Sequence, residues 1–562
     1  MKTTRLIIFI LFIFTALNVF SSPFDMIAVG DPVLDDILYL SLESGRSILS
    51  FTPPFSPHEI KSFLKYIDTE SLSPAALEAY ERIERRLEPQ ANISVTGDNL
   101  LFTLNINSAL EGTFRLNENI SWYPMYPKIP ALLSFPIRLY FADSLQLYME
   151  PVISKEPEFY RGTSEVFFTD DNINVGKFSH NMLTKGEDID QTFPLRAFIA
   201  MGGDWWNFQL GRDRLSYGTG EMGNLAIGDN QAYHQFARAS FFSNFLRYSV
   251  LVSQMPLDTR ELFDYGDGIE NGTVNFYKTT QRYLYLHRLD ILIKDFFSLT
   301  LSEGVMVGNL PLELRYLNPM MVFHSMFSFW DYRGAWQGGD NHPVEGGDVN
   351  GSLLNLEFNW NIINSFGIYG QFVMNQFSTK YKQQNWGGQP NGLGWLIGAR
   401  YSGDLNGWGY RVFLEFIYTD PFLYLNPSPF ASHFQMITLG IYPGRYIYSY
   451  IGYPRDTIAI SLGGRLFNGD NLSITGELSR ISRGIQRIEY NWANIEEVRK
   501  ETTPSGDTPE NKYIISLGAK WKFNSYLSFN GGVTGIYSQN NENQKSDDQL
   551  GGQVSLSVNF TW

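Results

Sequence analysis

The sequence contains no cysteine, and charged residues make up only 18% of its 562 positions. The absence of cysteine excludes disulfides, thiol catalysis and cysteine-bound metal centres. Basic residues are also few, because 43 Lys and Arg stand against 58 Asp and Glu and leave a formal net charge of −15. This acidic balance argues against nucleic-acid binding, which needs an excess of positive charge to neutralise phosphates.

Long apolar runs are absent after the N-terminal region, whereas aromatic residues and glycine are abundant. Aromatic residues make up 15% of the chain, there are 50 glycines, and the mean hydropathy is −0.18. No run beyond residue 22 reaches the length of about 18 apolar residues that a helical membrane span needs. This composition is typical of a protein that turns one apolar face to lipid and one polar face to water.

The first residues have the pattern of a secretory signal peptide. Lys2 and Arg5 precede an apolar run that ends at Phe20, and Ser21 suits the residue before a cleavage site. A short membrane anchor is the alternative, but the run is short for a span of about 20 residues. We therefore predict a signal peptide over residues 1–21 and export to the periplasm or the outer membrane.

Residues 22–90 carry the signals of three short helices. Helix starts are predicted at Asp31-Pro32, at the capping box Ser56–Glu59 and at Ser73-Pro74. Apolar residues follow each start at three- and four-residue spacing. A module of this size is barely stable alone, so we expect it to lie in the periplasm and to pack on something larger.

From residue 91 to residue 562 the apolar period changes from 3.6 to 2. Residues Leu354–Ile362 and Tyr513–Phe523 alternate apolar and polar side chains over nine or more positions. Strands of this length cross a bilayer when they are tilted by about 45°. A soluble β-sandwich or β-helix has the same period, but here tight turns alternate with long polar connections, which is typical of outer-membrane barrels.

The turn pattern predicts a mainly β, transmembrane antiparallel β-barrel of about 18 strands. A further turn at Tyr442-Pro443-Gly444 widens the expected range to 16–20. The barrel must close, because an open strand edge in lipid leaves backbone groups without hydrogen bonds. The last strand alternates from Val554 to Phe560 and ends on Trp562, which resembles the C-terminal signal read by the barrel-assembly machinery.

Polar residues of these strands should face the lumen. Both charge signs are present, which favours a salt-bridged lining that narrows the lumen over an ion-selective ring. The predicted lining residues are Arg138, Glu150, Glu357, Arg400, Arg411, Glu415, Arg465, Glu477 and Lys520.

The most specific stretch runs from Asn207 to Gly220 and continues to Asn230. It resembles the Wzi family of outer-membrane capsule-assembly proteins, in which a Gly-Arg strand end is followed by an aromatic–Gly–Pro–Gly turn. The segments Tyr285–Asp290 and Tyr316–Pro319 resemble the His-Arg-Leu and Tyr-Leu-Asn-Pro segments of that family, in matching order and spacing. Thr219 stands where proline is usual in the family.

The resemblance implies an 18-stranded barrel with a periplasmic helical bundle that helps to hold surface polysaccharide on the cell. The glycines between Gly211 and Gly223 are spaced as in a tightly folded loop that could enter the barrel and reduce its bore. Arg212 and Arg214 would then bridge to lumen carboxylates or contact an acidic sugar. A purely structural loop and a ligand-binding loop both remain open.

Candidate ligand residues combine this loop with aromatic and acidic residues of the long connection 308–351. Aromatic faces beside carboxylates suit sugars, although the same residues could belong to the interfacial aromatic girdle. The candidates are Arg212, Arg214, Tyr217, Trp330, Asp331, Tyr332 and Trp336.

Catalytic signatures are not found in the sequence. The seven histidines show no metal-ligand spacing, and no Gly-x-Ser-x-Gly elbow or phosphate-binding glycine loop occurs. We therefore expect a non-enzymatic monomer without cofactor or metal, although a catalytic site assembled from distant strands is left open. The expected partners are outer-membrane lipid and surface polysaccharide. The alternative function is a passive porin for small polar solutes.

Overall fold

The structure is a computed structural model that describes residues 24–88, 91–97, 99–120, 130–155, 166–168, 176–186, 189–190, 194–257, 281–308, 311–320, 349–376, 390–425, 431–438, 446–488 and 502–562. Within these residues three α-helices precede the strands: α1 (Val33–Glu43), α2 (Pro57–Leu64) and α3 (Pro74–Arg86). The predicted signal peptide lies outside the described residues.

The strands follow in an almost uninterrupted series. They are β1 (Ile93–Thr96), β2 (Leu100–Leu104), β3 (Asn107–Arg115), β4 (Leu133–Ser134), β5 (Ile137–Phe141), β6 (Leu145–Met149), β7 (Val152–Ile153), β8 (Val166–Phe168), β9 (Phe178–His180), β10 (Ala197–Gly203), β11 (Trp206–Asp213), β12 (His234–Phe242), β13 (Leu246–Gln254), β14 (Arg282–Ile293), β15 (Phe297–Gly308), β16 (Val349–Ile363), β17 (Phe366–Gln376), β18 (Gly392–Leu405), β19 (Trp408–Thr419), β20 (Phe434–Thr438), β21 (Tyr446–Tyr450), β22 (Thr457–Asn468), β23 (Leu472–Arg483), β24 (Glu510–Lys522), β25 (Leu527–Gln539) and β26 (Gln549–Thr561).

One antiparallel sheet of 23 strands closes on itself, because β26 pairs with β3 from Gln553 opposite Arg115 to Thr561 opposite Asn107. The segments β2 and β3, β4 and β5, and β6 and β7 each form one interrupted strand. The short strands β1 and β9 only extend the pairing of their neighbours. Counted in this way, the described residues form 18 strands around a barrel, and the predicted fold class is confirmed.

Short turns and long connections lie at opposite ends of this barrel, which we call the turn end and the loop end. The turn end is formed by residues 142–144, 204–205, 243–245, 294–296, 364–365, 406–407, 469–471 and 523–526. The turn expected at Tyr442-Pro443-Gly444 lies outside the described residues. Of the strands that flank it, β20 pairs with β21 and β21 pairs with β8 in a separate three-stranded sheet, so β20 and β21 are not barrel strands.

Large apolar side chains cover the outer wall of the barrel. Leu301 is 50% exposed and Leu556 is 65% exposed, and each belongs to a strand whose alternate residues face inward. Exposed aromatic residues gather towards the turn end: Trp205, Phe241, Phe245, Phe296, Trp360, Tyr401, Trp521, Phe523, Tyr526 and Trp562. Soluble monomers rarely expose a continuous apolar surface of this size, whereas a barrel in lipid needs one.

The three helices, with the segment that precedes them, form a helical module (residues 24–88) that fills the turn end of the barrel. The Ser365 backbone N–H donates to the Leu42 carbonyl at 2.7 Å, and the Tyr39 hydroxyl donates to the Gly403 carbonyl at 2.9 Å. Arg46 forms an ion pair with Asp295 at 2.6 Å. The expectation that the helices pack on a larger partner is therefore met by the barrel itself.

Helix α2 begins with the predicted capping box. The Glu59 backbone N–H donates to the Ser56 hydroxyl at 3.3 Å, and the Ser56 backbone N–H donates to the Glu59 carboxylate at 2.9 Å. Apolar faces of all three helices meet in one core with Ile37, Ile60 and Ile83 at its centre. Among the described residues, no helix is both long enough and apolar enough to cross a bilayer.

Candidate functional site

The connection between β11 and β12 folds into the barrel, and we call residues 214–233 the lumen loop. The Leu225 backbone N–H donates to the side chain of Gln371 on β17 at 2.8 Å. The Gly218 backbone N–H donates to the Phe51 carbonyl of the helical module, also at 2.8 Å. The lumen loop therefore reaches from the loop end to the helical module, whereas the glycine spacing had predicted only a tightly folded loop that could enter the barrel.

Two glycines make this close fit possible. Gly218 has a φ of +119°, and a Cβ placed there would lie 1.5 Å from the Gln371 side-chain nitrogen. A Cβ at Gly220 would lie 2.1 Å from the Gly223 carbonyl oxygen. A side chain at Gly218 would force the lumen loop away from the barrel wall, and one at Gly220 would distort the turn of the loop itself.

Glu221, at the tip of the lumen loop, lies between two arginines of the barrel wall. Nε of Arg400 donates to the Glu221 carboxylate at 2.7 Å, and Nη1 of Arg411 lies 3.3 Å from the same oxygen. Burial alone would raise the pKa of Glu221, but the charges of Arg411 and Arg400 outweigh burial and hold the pKa below its ordinary value. We call these three residues the Glu221 cluster.

Glu415 on β19 holds the backbone of the same loop tip. Its carboxylate accepts the backbone N–H groups of Glu221 and Met222, each at 2.8 Å, and the Tyr369 hydroxyl at 2.7 Å. Three uncharged donors therefore converge on one buried carboxylate. The sequence predicted Glu415 as a lining residue but missed Glu221 and Tyr369.

A second connection, residues 420–456, packs against the lumen loop. The Tyr424 hydroxyl donates to the Leu225 carbonyl at 2.7 Å, and the Tyr453 backbone N–H donates to the Asn224 carbonyl at 2.8 Å. The two connections and the barrel wall share one buried apolar core, which includes Leu215, Tyr217, Leu225, Ile227, Leu284, Leu286, Met306, Leu353, Val373, Leu396, Ile417, Leu423, Phe434, Tyr448 and Ile451.

This core corrects the expectation of a polar lumen. Inward-facing side chains such as Leu286 and Leu396 are apolar near the loop end, whereas the ion pairs between the barrel wall and the helical module lie closer to the turn end. The reason is that the inserted connections exclude water from the upper lumen, so apolar side chains there gain burial. The strand pattern alone does not predict this apolar core, because an apolar residue at an inward-facing position appears in the sequence only as an interruption of the apolar–polar alternation.

A chain of ion pairs joins the helical module to the barrel wall, and we call it the Arg247 network. Arg247 pairs with Glu59 of α2 at 2.8 Å and with Asp290 at 3.4 Å. Arg288 pairs with Asp290 at 2.8 Å. Its two terminal nitrogens donate hydrogen bonds to the Glu357 carboxylate, at 2.7 and 2.9 Å. The sequence predicted only Glu357 among these five residues as lumen lining, although each basic residue occupies a polar position on an alternating strand.

The other predicted lining residues also face the lumen. Arg138 lies 3.5 Å from Asp25, and Glu150 lies 3.6 Å from Arg196. Arg465 pairs with Asp35 at 2.7 Å.

Asp25 is buried beside Arg86 as well. Burial alone would raise its pKa, but Arg86 and Arg138 together hold the pKa of Asp25 below its ordinary value. The lining is therefore salt-bridged in large part to the helical module.

One wall of the lumen differs from this pattern. Glu477 on β23 and Lys520 on β24 are exposed, whereas Glu357 and Glu415 on the opposite side are buried. Small or polar lumen-facing residues that are partly or fully exposed line the same wall: Thr475, Ser516, Gly518, Asn530, Gly532, Thr534, Ser555 and Asn559. The described residues thus fill the lumen unevenly, and we call this side the polar wall.

The candidate ligand residues occupy different places. Arg214 pairs with Asp229 within the lumen loop. Tyr217 is buried in the apolar core, and its backbone pairs with Ile227. Arg212 lies on the outer face of β11, donates to the Pro194 carbonyl at 3.1 Å and stacks on Tyr233 at 4.1 Å.

The expected bridge from Arg212 to a lumen carboxylate is therefore wrong, because strand alternation turns Arg212 outward next to the inward-facing Asp213. Trp330, Asp331, Tyr332 and Trp336 lie outside the described residues. Within the described ranges, no group of three or more His, Asp or Glu side chains is placed to hold a metal ion.

The sequence matches no family model, and no curated protein is similar to it. Among solved structures, the chain is similar to Wzi of Escherichia coli, described as an outer membrane protein involved in group 1 capsule assembly and a carbohydrate-binding β-barrel. The two share 13% identity, the match covers 95% of this chain and 98% of that chain, and the TM-score is 0.54.

Two weaker matches are OmpT of Vibrio cholerae and OprD of Pseudomonas aeruginosa. OmpT has 9% identity, 84% coverage of this chain and 100% of its own, and a TM-score of 0.34. OprD has 8% identity, coverages of 82% and 95%, and a TM-score of 0.37. The likeness to Wzi shows the fold: this chain has the fold of an outer-membrane β-barrel.

Proposed function

We propose that this protein is an outer-membrane barrel that associates with surface polysaccharide through its long connections while its lumen is largely occluded. The observation that carries the proposal is the filling of the barrel from both ends. The helical module occupies the turn end, and the lumen loop packs with residues 420–456 in the apolar core above it. A barrel that acts as a wide diffusion channel requires an open lumen, and buried contacts of this extent inside the barrel oppose that.

The outer wall supports placement in a membrane. Its apolar belt and the aromatic residues towards the turn end match what a lipid bilayer requires of a barrel. We propose that residues 1–21 are a signal peptide, that residues 22–90 form a periplasmic module and that residues 91–562 form the barrel. Short turns face the periplasm in such barrels, so the helical module at the turn end would lie there.

A binding role rather than an enzymatic one is supported by the state of the lumen charges. The Glu221 cluster and the Arg247 network use their carboxylates and guanidinium groups on each other. Charged groups that are paired with each other in this way have a structural role. The long connections, which carry Trp330 and Trp336, are the proposed contact with glycan, because aromatic faces pack on the apolar faces of sugars.

The test is retention of polysaccharide by the detergent-solubilised protein. Acidic and neutral capsular polysaccharides are immobilised, and binding of the intact protein is compared with that of a Trp330→Ala, Trp336→Ala double variant. We expect at least a tenfold loss for the double variant. Trp205→Ala is the control, because Trp205 is exposed at the opposite, turn end. Absence of retention on every polysaccharide would contradict the proposal.

A passive porin is the second candidate function, and the polar wall is the observation that favours it. Exposed Glu477 and Lys520 beside small polar residues could line a narrow water-filled path along β23–β26. Swelling of liposomes in neutral mono- and disaccharides separates the two functions. Rapid swelling without any polysaccharide retention supports the porin, whereas retention without swelling supports the occluded barrel.

A further inference from the structure

A groove crosses β19, β22, β23 and β24 on the outer wall of the barrel. Its volume is about 420 Å³. The lining is apolar except near the loop end, and it consists of Leu414, Ile460, Leu462, Leu478, Ser479, Arg480, Tyr513, Ile514 and Ile515. Because the outer wall of the barrel faces lipid, this groove is a recess on the lipid-facing surface.

Arg480 brings a positive charge to this recess. In strand register it lies between Ile460 of β22 and Tyr513 of β24. Its guanidinium carbon lies 5.7 Å from the centre of the Tyr513 ring, and one terminal nitrogen lies 3.4 Å from the Asn511 side-chain oxygen. Among the described residues no carboxylate pairs with it, so most of its donors point to the surroundings of the barrel.

The register fixes the depth of Arg480 in the membrane. It lies eight residues from Leu472 along β23, and Leu472 pairs with Trp521 at the turn end. A rise of about 3.3 Å per residue and a tilt of about 40° place it roughly 20 Å above that level, near the far edge of an apolar band about 25 Å tall. Tyr513 stacks on Tyr537 at the same level, as expected for an interfacial girdle.

The apolar part of the groove lies below this charge. Leu478 pairs with Ile515 and with Leu462, and all three lie one row closer to the middle of the membrane than Arg480. A cation at the interface above an apolar recess matches the two parts of a lipid molecule. An arginine is suited to the head group, because its planar fork donates two hydrogen bonds to one phosphate.

We propose that this groove binds one membrane lipid with an anionic phosphate head group, in the leaflet nearest the long connections. The phosphate is held by Arg480, and an acyl chain lies along Leu478, Ile515 and Leu462. The inference rests on the membrane placement proposed above. A groove that merely filled with bulk lipid would show no preference between head groups, whereas this site prefers a net negative one.

The experiment is native mass spectrometry of the full chain released from nanodiscs of matched acyl chains. We expect one phosphatidylglycerol molecule to remain bound in preference to phosphatidylcholine. Arg480→Gln should lower the bound fraction at least fivefold, and Arg480→Lys should keep part of it. Lys522→Gln is the control, since Lys522 lies at the turn end beside Asp470.

A second variant, Leu462→Trp, fills the groove without changing charge and should also lower retention, which separates a lipid site from a purely electrostatic effect. Equal retention by Arg480→Gln and the unaltered protein, or equal retention of the two lipids, would overturn the proposal. Failure of the chain to enter nanodiscs at all would instead count against the proposed membrane barrel.

Discussion

At the scale of single residues, the barrel lumen is governed by buried charges in pairs. Removing one partner of such a pair leaves an uncompensated charge, which costs more than the pair itself contributes. Glu221 is the clearest case, because its carboxylate pairs with two arginines at the tip of the lumen loop, and Asp35 is the other carboxylate that pairs with Arg411. The position of the lumen loop therefore depends strongly on this residue.

Glu221→Gln should detach the lumen loop from the barrel wall. We expect a loss of about 3–5 kcal/mol in the free energy that holds the loop, because Arg400 loses its ion-pair partner and Arg411 keeps only its pair with Asp35. The measurement is limited proteolysis of the lumen loop in detergent, combined with bilayer conductance. Glu84→Gln on the exposed face of α3 is the matched control. Unchanged proteolysis and conductance in Glu221→Gln would show that the pair does not hold the loop.

The pH dependence of the loop follows from the same residue. Because the pKa of Glu221 lies below its ordinary value of 4.5, its contribution is fully present above about pH 4.5 and is lost as the pH falls through the lowered pKa. Conductance should therefore rise reversibly below about pH 4.5, and this acid response should be absent in Glu221→Gln. An acid response of equal size in both proteins would assign it to other carboxylates.

His433 lies in the second inserted connection. From its lowered pKa we expect a separate loss of stability, at a higher pH than the loss that involves Glu221. Burial, together with the nearby charge of Arg282, lowers the pKa of His433 to about 3, and neither ring nitrogen has a hydrogen-bond partner among the described residues. Between pH 6.5 and 3 the unfolded chain binds a proton that the folded chain does not, so stability falls by about 1.4 kcal/mol per pH unit.

His433→Phe should remove this slope. Urea unfolding of the detergent-solubilised protein at pH 7 and pH 5 measures it, and we expect the unaltered protein to lose about 2 kcal/mol more than the variant. Identical pH dependence of the two proteins would mean that His433 can be protonated in the folded state.

At the scale of elements, the fold shows which features short sequence patterns can reveal. The capping box of α2, the alternation of β16 and β24 and most of the short turns are local and were predicted from neighbouring residues, although the turn at residues 294–296 was missed. The contacts that fill the lumen are not local. Arg247 and Glu59 are 188 positions apart, and Asn230 meets the Tyr450 carbonyl across 220 positions.

The residues of the candidate site were likewise predictable only where a local sequence pattern determines their position. Eight of the nine predicted lining residues lie on strands, where alternation decides which way a side chain points, and Glu150 follows the end of β6. The bridge expected from Arg212 to the lumen was wrong because Arg212 lies next to the end of β11, where a difference of one residue puts a side chain on the opposite face of the strand. Glu221 sits in a glycine-rich loop with no periodicity, and only the folded chain shows that it meets Arg400.

Glu59 tests whether the helical module and the barrel form one cooperative unit. Glu59→Ala removes the capping box of α2 and the partner of Arg247 together. We expect the module to open with a loss of about 3–5 kcal/mol, seen as faster hydrogen exchange over Pro57–Leu64 while the barrel strands keep their protection. Lys65→Ala, an exposed neighbour, should leave exchange unchanged. Unaltered exchange in Glu59→Ala would contradict the coupling.

At the scale of the whole molecule, the chain combines a lipid-facing exterior with an interior that is filled from both ends. The pairing of β26 with β3 closes the main sheet on itself, as a bilayer demands of a barrel. The uneven filling leaves the polar wall as the one side of the lumen where described charged residues stay exposed. Whether the barrel conducts therefore depends on the inserted connections.

Single-channel recording in planar bilayers tests this central claim most directly. The intact protein is compared with a variant in which residues 218–226 are replaced by Asn-Gly, a turn that fits because Tyr217 and Ile227 already pair as antiparallel neighbours. We predict no large steady conductance for the intact protein and a several-fold larger ohmic conductance for the variant. Large steady channels from the intact protein, equal to those of the variant, would contradict the account.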